Sequence, residues 1–184
     1  MKKITILIVW ACYCLYFPAF GQTTPPINYL KTGDKMPDLV ITNLLNSKQK
    51  IIDLSKLRGK LVLLDFWNTT CSTCIESFGH LDSLQKVYAG KLQVILVNAE
   101  FNHESFRAVD AVIKRTKAWS LKGFNLPIVY PDSNIRPYFK FRGVPYTIWI
   151  GPDGTIVAMT RKDDITTSNL EQAMAGKNLN ITAK

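Results

Sequence analysis

The residues with the most chemical capacity in this chain are Cys71 and Cys74, in the run Cys71-Ser72-Thr73-Cys74. Two thiols on one helical turn, with two residues between them, lie within bonding distance while only one faces solvent. The run before them, Leu61-Val62-Leu63-Leu64-Asp65-Phe66-Trp67, is almost continuously apolar, the pattern of a central strand covered on both faces. After them, Cys74, Ile75, Phe78, Leu81, Leu84 and Tyr88 recur at three- and four-residue steps, which predicts an amphipathic helix ending near Gly90. The pair therefore falls at a strand-to-helix junction. There the free amides and the positive end of the helix dipole stabilise a thiolate at Cys71. The chemistry this predicts is thiol-disulfide exchange. Cys71 opens a partner disulfide, and Cys74, one turn deeper, attacks the mixed disulfide and releases the partner.

The other cysteines support a reactive pair over a structural one. Met1-Lys2-Lys3 followed by the apolar run Ile4 to Phe17 and the small residues Ala19 and Gly21 has the form of a signal peptide, with cleavage predicted after Gly21. Cys12 and Cys14 would be lost with it, leaving only Cys71 and Cys74. A stabilising bridge in an exported protein closes a long loop, and this one would span two residues. A tetrahedral zinc site needs two further ligands, and His80 and His103 have no paired spacing, so no metal and no cofactor are expected. The alternatives for the N-terminus are an uncleaved anchor or a lipid on Cys12, after Val9-Trp10-Ala11.

In 184 residues with 47% hydrophobic composition there is room for one well-packed core. The formal charge of +9 falls to +7 without Lys2 and Lys3 and is spread with no basic block, which gives no support to nucleic-acid binding. The expected organisation is a signal peptide over 1–21, an extended leader over 22–32, one domain over 33–176 and a flexible tail over 177–184. Within the domain, Asp38 to Leu44 and Gln49 to Leu54 predict a hairpin around Asn46-Ser47-Lys48, and Ser55 to Arg58 a helical turn stopped by Gly59. Leu92 to Asn98 predicts a buried strand, and Glu104 to Lys117 a helix with Phe106, Val109, Val112 and Ile113 inward. Leu126 to Tyr130 predicts a third strand, followed by a short helix near Pro137. Tyr146 to Ile150 and Thr155 to Thr160 flank Pro152-Asp153-Gly154 as an antiparallel hairpin. Ser168-Asn169-Leu170-Glu171 has capping-box spacing for a last helix over Asn169 to Ala175, stopped by Gly176. The alternation is that of an α/β fold.

The segment Asp65-Phe66-Trp67-Asn68-Thr69-Thr70-Cys71-Ser72-Thr73-Cys74 resembles the active-site stretch of thioredoxin-like proteins, and Gly143-Val144-Pro145-Tyr146-Thr147 resembles their second signature. Within that superfamily the chain is most similar to the TlpA/ResA-like branch, also called redoxin or AhpC/TSA-type. The resemblance covers about Gly33 to Gly176. It implies a thioredoxin fold: a central mixed β-sheet flanked by helices, with an N-terminal β-hairpin and an inserted strand-helix unit over Leu92 to Lys117. It further implies Cys71 as nucleophile, Cys74 as resolving thiol and Asp65 as a buried acid that moves a proton at Cys74. A carboxyl in an apolar strand has its neutral form favoured by desolvation, although a hydrogen-bonded structural acid would look the same in sequence. Trp67 is expected to pack beside the cysteine loop, although plain core packing explains it equally well. Pro145, if cis, leaves the backbone of Val144 free to pair with an extended substrate, so Trp67, Val144 and Pro145 are the candidate substrate-binding residues.

The chain departs from the family pattern at Thr73, where a proline often precedes the second cysteine, and at Thr70, where an aromatic residue often precedes the first. A glutamate often stands three residues after the second cysteine. Here that position is Ser77, and the adjacent Glu76 points about 100° away on a helix. The expected function is an exported, periplasmic or cell-envelope protein-disulfide reductase. Its partners would be exported proteins with disulfides or thiols and a membrane or envelope electron donor, with membrane association through the N-terminal segment as an alternative. Oxidase or isomerase action uses the same residues. A thiol peroxidase of the same fold would carry Pro and Thr or Ser where Leu64 and Asn68 stand, and a non-catalytic binding module would use the Pro145 surface without turnover.

Overall fold

The computed structural model describes residues 28–99, 104–120, 123–132, 134–177, 179 and 181. The expected signal peptide, most of the leader and His103 lie outside these residues.

Among the described residues eight strands and three α-helices follow one another as β1 (Val40–Ile41), β2 (Leu44–Leu45), β3 (Ile52–Asp53), β4 (Leu61–Trp67), α1 (Ser72–Val87), β5 (Leu92–Asn98), α2 (Phe106–Trp119), β6 (Ile128–Val129), β7 (Tyr146–Ile150), β8 (Ile156–Thr160) and α3 (Thr167–Met174). The main sheet runs in the order β2-β6-β5-β4-β7-β8. β4 is central, parallel to β5 on one side and antiparallel to β7 on the other. Every residue of β4 is buried, as its apolar run requires. Because strand side chains alternate, Leu61, Leu63, Asp65 and Trp67 share one face and Val62, Leu64 and Phe66 the other. The first face packs against α1 (Cys74, Phe78, Leu81, Leu84), α2 (Val109, Val112, Ile113) and α3 (Leu170, Ala173). The second is covered by Met36, Ile41, Ile52 and Leu54 from the N-terminal segment and by Ile135 and Phe139 around a 3-10 turn at Arg136–Tyr138.

Four local expectations change. The N-terminal segments do pair, Val40 with Asp53 and Ile41 with Ile52, but Leu44–Leu45 between them leaves the ribbon and joins the edge of the main sheet beside β6. Asn46 fixes that departure: its amide donates to the carbonyls of Phe124 and Leu126 at 3.3 and 2.9 Å, and it adopts φ 53°. The third strand shrinks to Ile128–Val129 because prolines bracket it, and Pro127 has no N–H to give to a ladder. Phe106 is 56% exposed, since it sits in the first turn of α2 beside the Tyr130 ring and outside the inward stripe of Val109, Val112, Ile113 and Thr116. The cap of α3 is Thr166, whose side chain accepts from the Asn169 N–H at 3.2 Å, and Ser168 falls inside the first turn. Starting two residues early seats Leu170 and Ala173 on the core.

Candidate active site

The strand-to-helix junction places both cysteines. β4 ends at Trp67, and Asn68 turns the chain: its side-chain oxygen accepts from the N–H and hydroxyl of Thr70 at 3.2 and 3.0 Å, and its carbonyl accepts from the Cys71 N–H at 3.2 Å. Such an Asx turn competes with helix and sets the start of α1 at Ser72. Cys71 is the cap residue of α1, and its sulfur accepts from the Cys74 N–H at 3.2 Å. The Thr73 hydroxyl lies 3.6 Å from the same sulfur. Cys71 and Cys74 are joined by a disulfide, with their Cα atoms 5.3 Å apart. Cys71 is half-buried, whereas Cys74 is 0% exposed within the helix-side core.

Asp65 lies on the same core face as Cys74 and is 1% exposed. Its Oδ1 accepts from the Thr147 hydroxyl at 2.6 Å, and among the described residues its Oδ2 has no partner. Burial pushes the Asp65 carboxyl up to about 7, and the Thr147 hydrogen bond pulls the other way. At neutral pH this group is therefore poised to take or give a proton.

Trp67 has no exposed surface, and its ring meets Phe78 edge-on at 5.1 Å, with Phe78 stacked in turn on Phe124 at 5.8 Å. It supports the floor behind the cysteines, and in this disulfide form it presents nothing to a docking partner. Phe66 pairs with Tyr146 across β4 and β7, so the chain leaving Trp67 and the chain entering Tyr146 emerge at the same end of the sheet. Val144 and Pro145, joined by a cis peptide bond, therefore belong to the same end as Cys71. Both are half-buried. Among the described residues the N–H and carbonyl of Val144 make no hydrogen bond. The neighbouring loop is fixed by Phe141, which stacks on Tyr146 at 4.8 Å and lies under the Arg136 guanidinium at 4.4 Å.

Glu104 is a member of the site that sequence reasoning missed. One carboxylate oxygen accepts from the Thr69 N–H at 2.6 Å and from the Thr69 hydroxyl, and the other accepts from the Asn98 amide at 2.5 Å. Its carbonyl accepts from the Tyr130 hydroxyl at 2.5 Å. The end of β5, the start of α2, the end of β6 and the cysteine loop thus meet at one residue. Glu104→Ala is expected to lower stability by about 2 kcal/mol, the scale of charged hydrogen bonds lost from partly buried donors. Urea unfolding checks this, and an unchanged midpoint would mean that water replaces the carboxylate fully. The position expected to carry a glutamate, Ser77, instead donates to the Cys74 carbonyl at 2.6 Å, and Glu76 is exposed. His80 is exposed on α1, and no cluster of three or more potential metal ligands occurs among the described residues.

Comparison with known proteins agrees with this geometry. The Redoxin family matches residues 31–174. The chain is 28% identical over 140 residues to the thioredoxin-like protein YneN of Bacillus subtilis, covering 73% of this chain and 76% of that one. It is 30% identical over 159 residues to the thiol-disulfide oxidoreductase ResA of Halalkalibacterium halodurans, covering 85% and 81%. Among solved structures, a putative thiol:disulfide interchange protein DsbE from Chlorobium tepidum superposes with a TM-score of 0.56 at 27% identity, covering 80% and 97%. A putative protein disulfide isomerase from Bacteroides thetaiotaomicron gives a TM-score of 0.62 at 23% identity, covering 79% and 91%, and supports the fold. With a disulfide-bonded cysteine pair at the mouth of a helix and relatives of this kind across most of its length, the chain belongs to the Redoxin family and is a TlpA/ResA-like thiol-disulfide oxidoreductase of thioredoxin fold.

Proposed function

We propose that this oxidoreductase works as a reductase of exported protein disulfides in the cell envelope, with Cys71 as nucleophile, Cys74 as resolving thiol and Asp65 as the proton acceptor at Cys74. The observation that carries the reading is the unequal burial of the two sulfurs at one helix N-terminus, Cys71 reachable and Cys74 enclosed. In the reduced protein the Cys71 thiolate attacks a partner disulfide. One partner sulfur joins Cys71, and the other leaves as a thiolate and takes a proton. Cys74 then passes its proton to Asp65 and attacks Cys71. The mixed disulfide breaks, the Cys71–Cys74 bond forms, and the second partner sulfur leaves as a thiolate that takes a proton from solvent, while Asp65 gives up the proton it took from Cys74. The partner gains two electrons, and a dithiol donor of the envelope restores the pair. An extended partner segment pairs with the free backbone groups of Val144 beside Pro145, while Trp67 supports the cysteine loop from beneath.

The reductive direction is supported by the modest help the thiolate receives. A strong oxidant of this type stabilises its reduced form, chiefly through the nucleophile's thiolate. Here the Cys71 sulfur has one helix N–H and a hydroxyl at 3.6 Å, and the Glu104 carboxylate holds the loop two residues away. The envelope is supported by Met1-Lys2-Lys3, the apolar run to Phe17 and the small residues ahead of Gln22. No helix of the described residues is long and apolar enough to cross a membrane. Equilibration of the mature protein with dithiothreitol buffers is expected to give a reduction potential of about −230 mV or lower, within the range of reducing members. A value near about −120 mV would make the protein an oxidant and reverse the assignment.

A further inference from the structure

Asp65 lies directly opposite Thr147 across the β4–β7 ladder, and Thr147 lies opposite Thr160 across β7–β8. Three polar side chains therefore cross the helix-side face in one row, beside the apolar side chains of that core. Each hydroxyl has a distinct engagement. Thr160 accepts from the Trp149 indole N–H at 2.8 Å, and Thr147 donates to Asp65 Oδ1 at 2.6 Å. Thr147 is 0% exposed, so water does not stand in for it.

The surroundings of Asp65 give it no other charge to work against. β5 brings Leu96 opposite it, α1 brings Cys74 and Phe78 to the same core face, and α3 brings Leu170 and Ala173. Cys74 is the only titratable group in that set. Of the other buried acids, Asp82 of α1 is bound by Lys86 at 2.5 Å and by the Asn125 N–H at 3.1 Å, and Asp132 accepts from the Ile135 and Arg136 N–H groups at 2.9 and 2.7 Å. Among the described residues no cation contributes to the proton affinity of Asp65, which burial raises and Thr147 lowers.

We propose that Thr147 is a positioning residue for proton transfer, its hydroxyl holding Asp65 by Oδ1 so that the unpartnered Oδ2 is the oxygen that exchanges a proton with Cys74. The inference rests on the reading of Asp65 as proton acceptor and adds a residue to it. A hydroxyl donor favours the carboxylate over the carboxylic acid, so it keeps the acceptor form available at neutral pH. Without it, the buried carboxyl holds its proton to higher pH and the resolving step slows there.

The test is a single-turnover reaction of the reduced mature protein with a chromogenic aromatic disulfide, following release of the second chromophore from the Cys71 mixed disulfide. In the wild type the rate is expected to rise with pH through an inflection near 7, where Asp65 ionises. Thr147→Val should move that inflection up by about one pH unit and slow release about fivefold at pH 7, with the same plateau at high pH. Thr147→Ser, which keeps the hydroxyl, should restore the wild-type profile. Thr147→Ala provides a second deletion of the donor, and circular dichroism confirms the fold of each variant. Asp65→Asn should remove the inflection. If Asp65→Asn removes it and the Val and Ala variants leave it at the wild-type pH, Thr147 has no such role. An equal shift in the Ser variant would likewise overturn it. If Asp65→Asn leaves the profile unchanged, the reading of Asp65 itself fails.

Discussion

Cys71→Ser is expected to remove disulfide reduction, leaving only the background rate of the dithiothreitol donor, whereas Cys74→Ser should still attack once and then stall. The difference follows from the burial of the two sulfurs. Cys71 is the half-buried cap of α1, with its sulfur facing the Cys74 N–H, so it is the sulfur a partner disulfide is expected to reach. Cys74 is 0% exposed in the core cluster that also holds Trp67, Phe78 and Leu81, and it is bonded to Cys71. With serine at position 74 the mixed disulfide has no internal attacker, and covalent adducts should accumulate that dithiothreitol releases. Mass spectrometry of the mature Cys74→Ser protein incubated with a disulfide-bonded substrate reads this directly. Alkylation of the reduced wild type should be at least about tenfold faster at Cys71 than at Cys74, because thiolate character and exposure both favour the cap position. Adducts on neither variant would identify a binding module, and equal alkylation would remove the division of labour on which the proposed reaction depends.

What the sequence carried plainly were the features whose cause is local. The seven-residue run ending at Trp67 has no polar interruption except Asp65, and a strand buried on both faces needs that composition. Leu92–Asn98 and the Pro152-Asp153-Gly154 turn were legible for the same reason: strand period and turn chemistry are written in adjacent residues. The cysteine helix was legible from its three- and four-residue apolar steps, and its start from the pair itself. The N-terminal ribbon was less so, because the residues that draw Leu44–Leu45 away to β6 are the distant carbonyls of Phe124 and Leu126. The cap of α3 was misplaced by two residues because Thr166 and Ser168 are both good caps. Tertiary packing of Leu170 and Ala173 decides between them.

The site divides in the same way. Cys71, Cys74 and Asp65 stand within ten residues of one another and were readable as a motif, and Thr147 was visible as part of a second one. Their contact is a property of strand register, which pairs Asp65 with Thr147 across 82 positions of sequence. Glu104 had no local signal at all. It lies 35 residues after Thr69, and only the closure of β5 and α2 over the cysteine loop brings them together. For Trp67 the sequence left packing beside the cysteine loop and plain core packing equally open, and the T-shaped contact with Phe78 puts its ring in the floor.

Asp65 should also be readable from stability alone. Its carboxyl keeps its proton to about 7 in the folded disulfide form and to the ordinary 3.8 when unfolded. The folded value is the higher one, so the folded state binds more protons between these limits and its stability falls as pH rises through that window. The fall ends near pH 7, where both states are ionised. From about pH 5 to pH 8 the loss from this one group is about 3 kcal/mol, at 1.36 kcal/mol for each unit of separation. Asp65→Asn has no such proton to lose. The difference in unfolding free energy between the variant and the wild type should therefore shift by that amount in favour of the variant, as measured by urea denaturation of the oxidised proteins at the two pH values. Because the comparison subtracts every other titrating group, a difference that stays constant would mean that Asp65 is already ionised in the fold. A carboxylate stable in that place would be a structural anion, and the proton of Cys74 would need another acceptor. A difference that grows as predicted would tie the destabilisation of the fold to the group that drives the exchange, the compromise expected where an acid is kept in an apolar core for its chemistry.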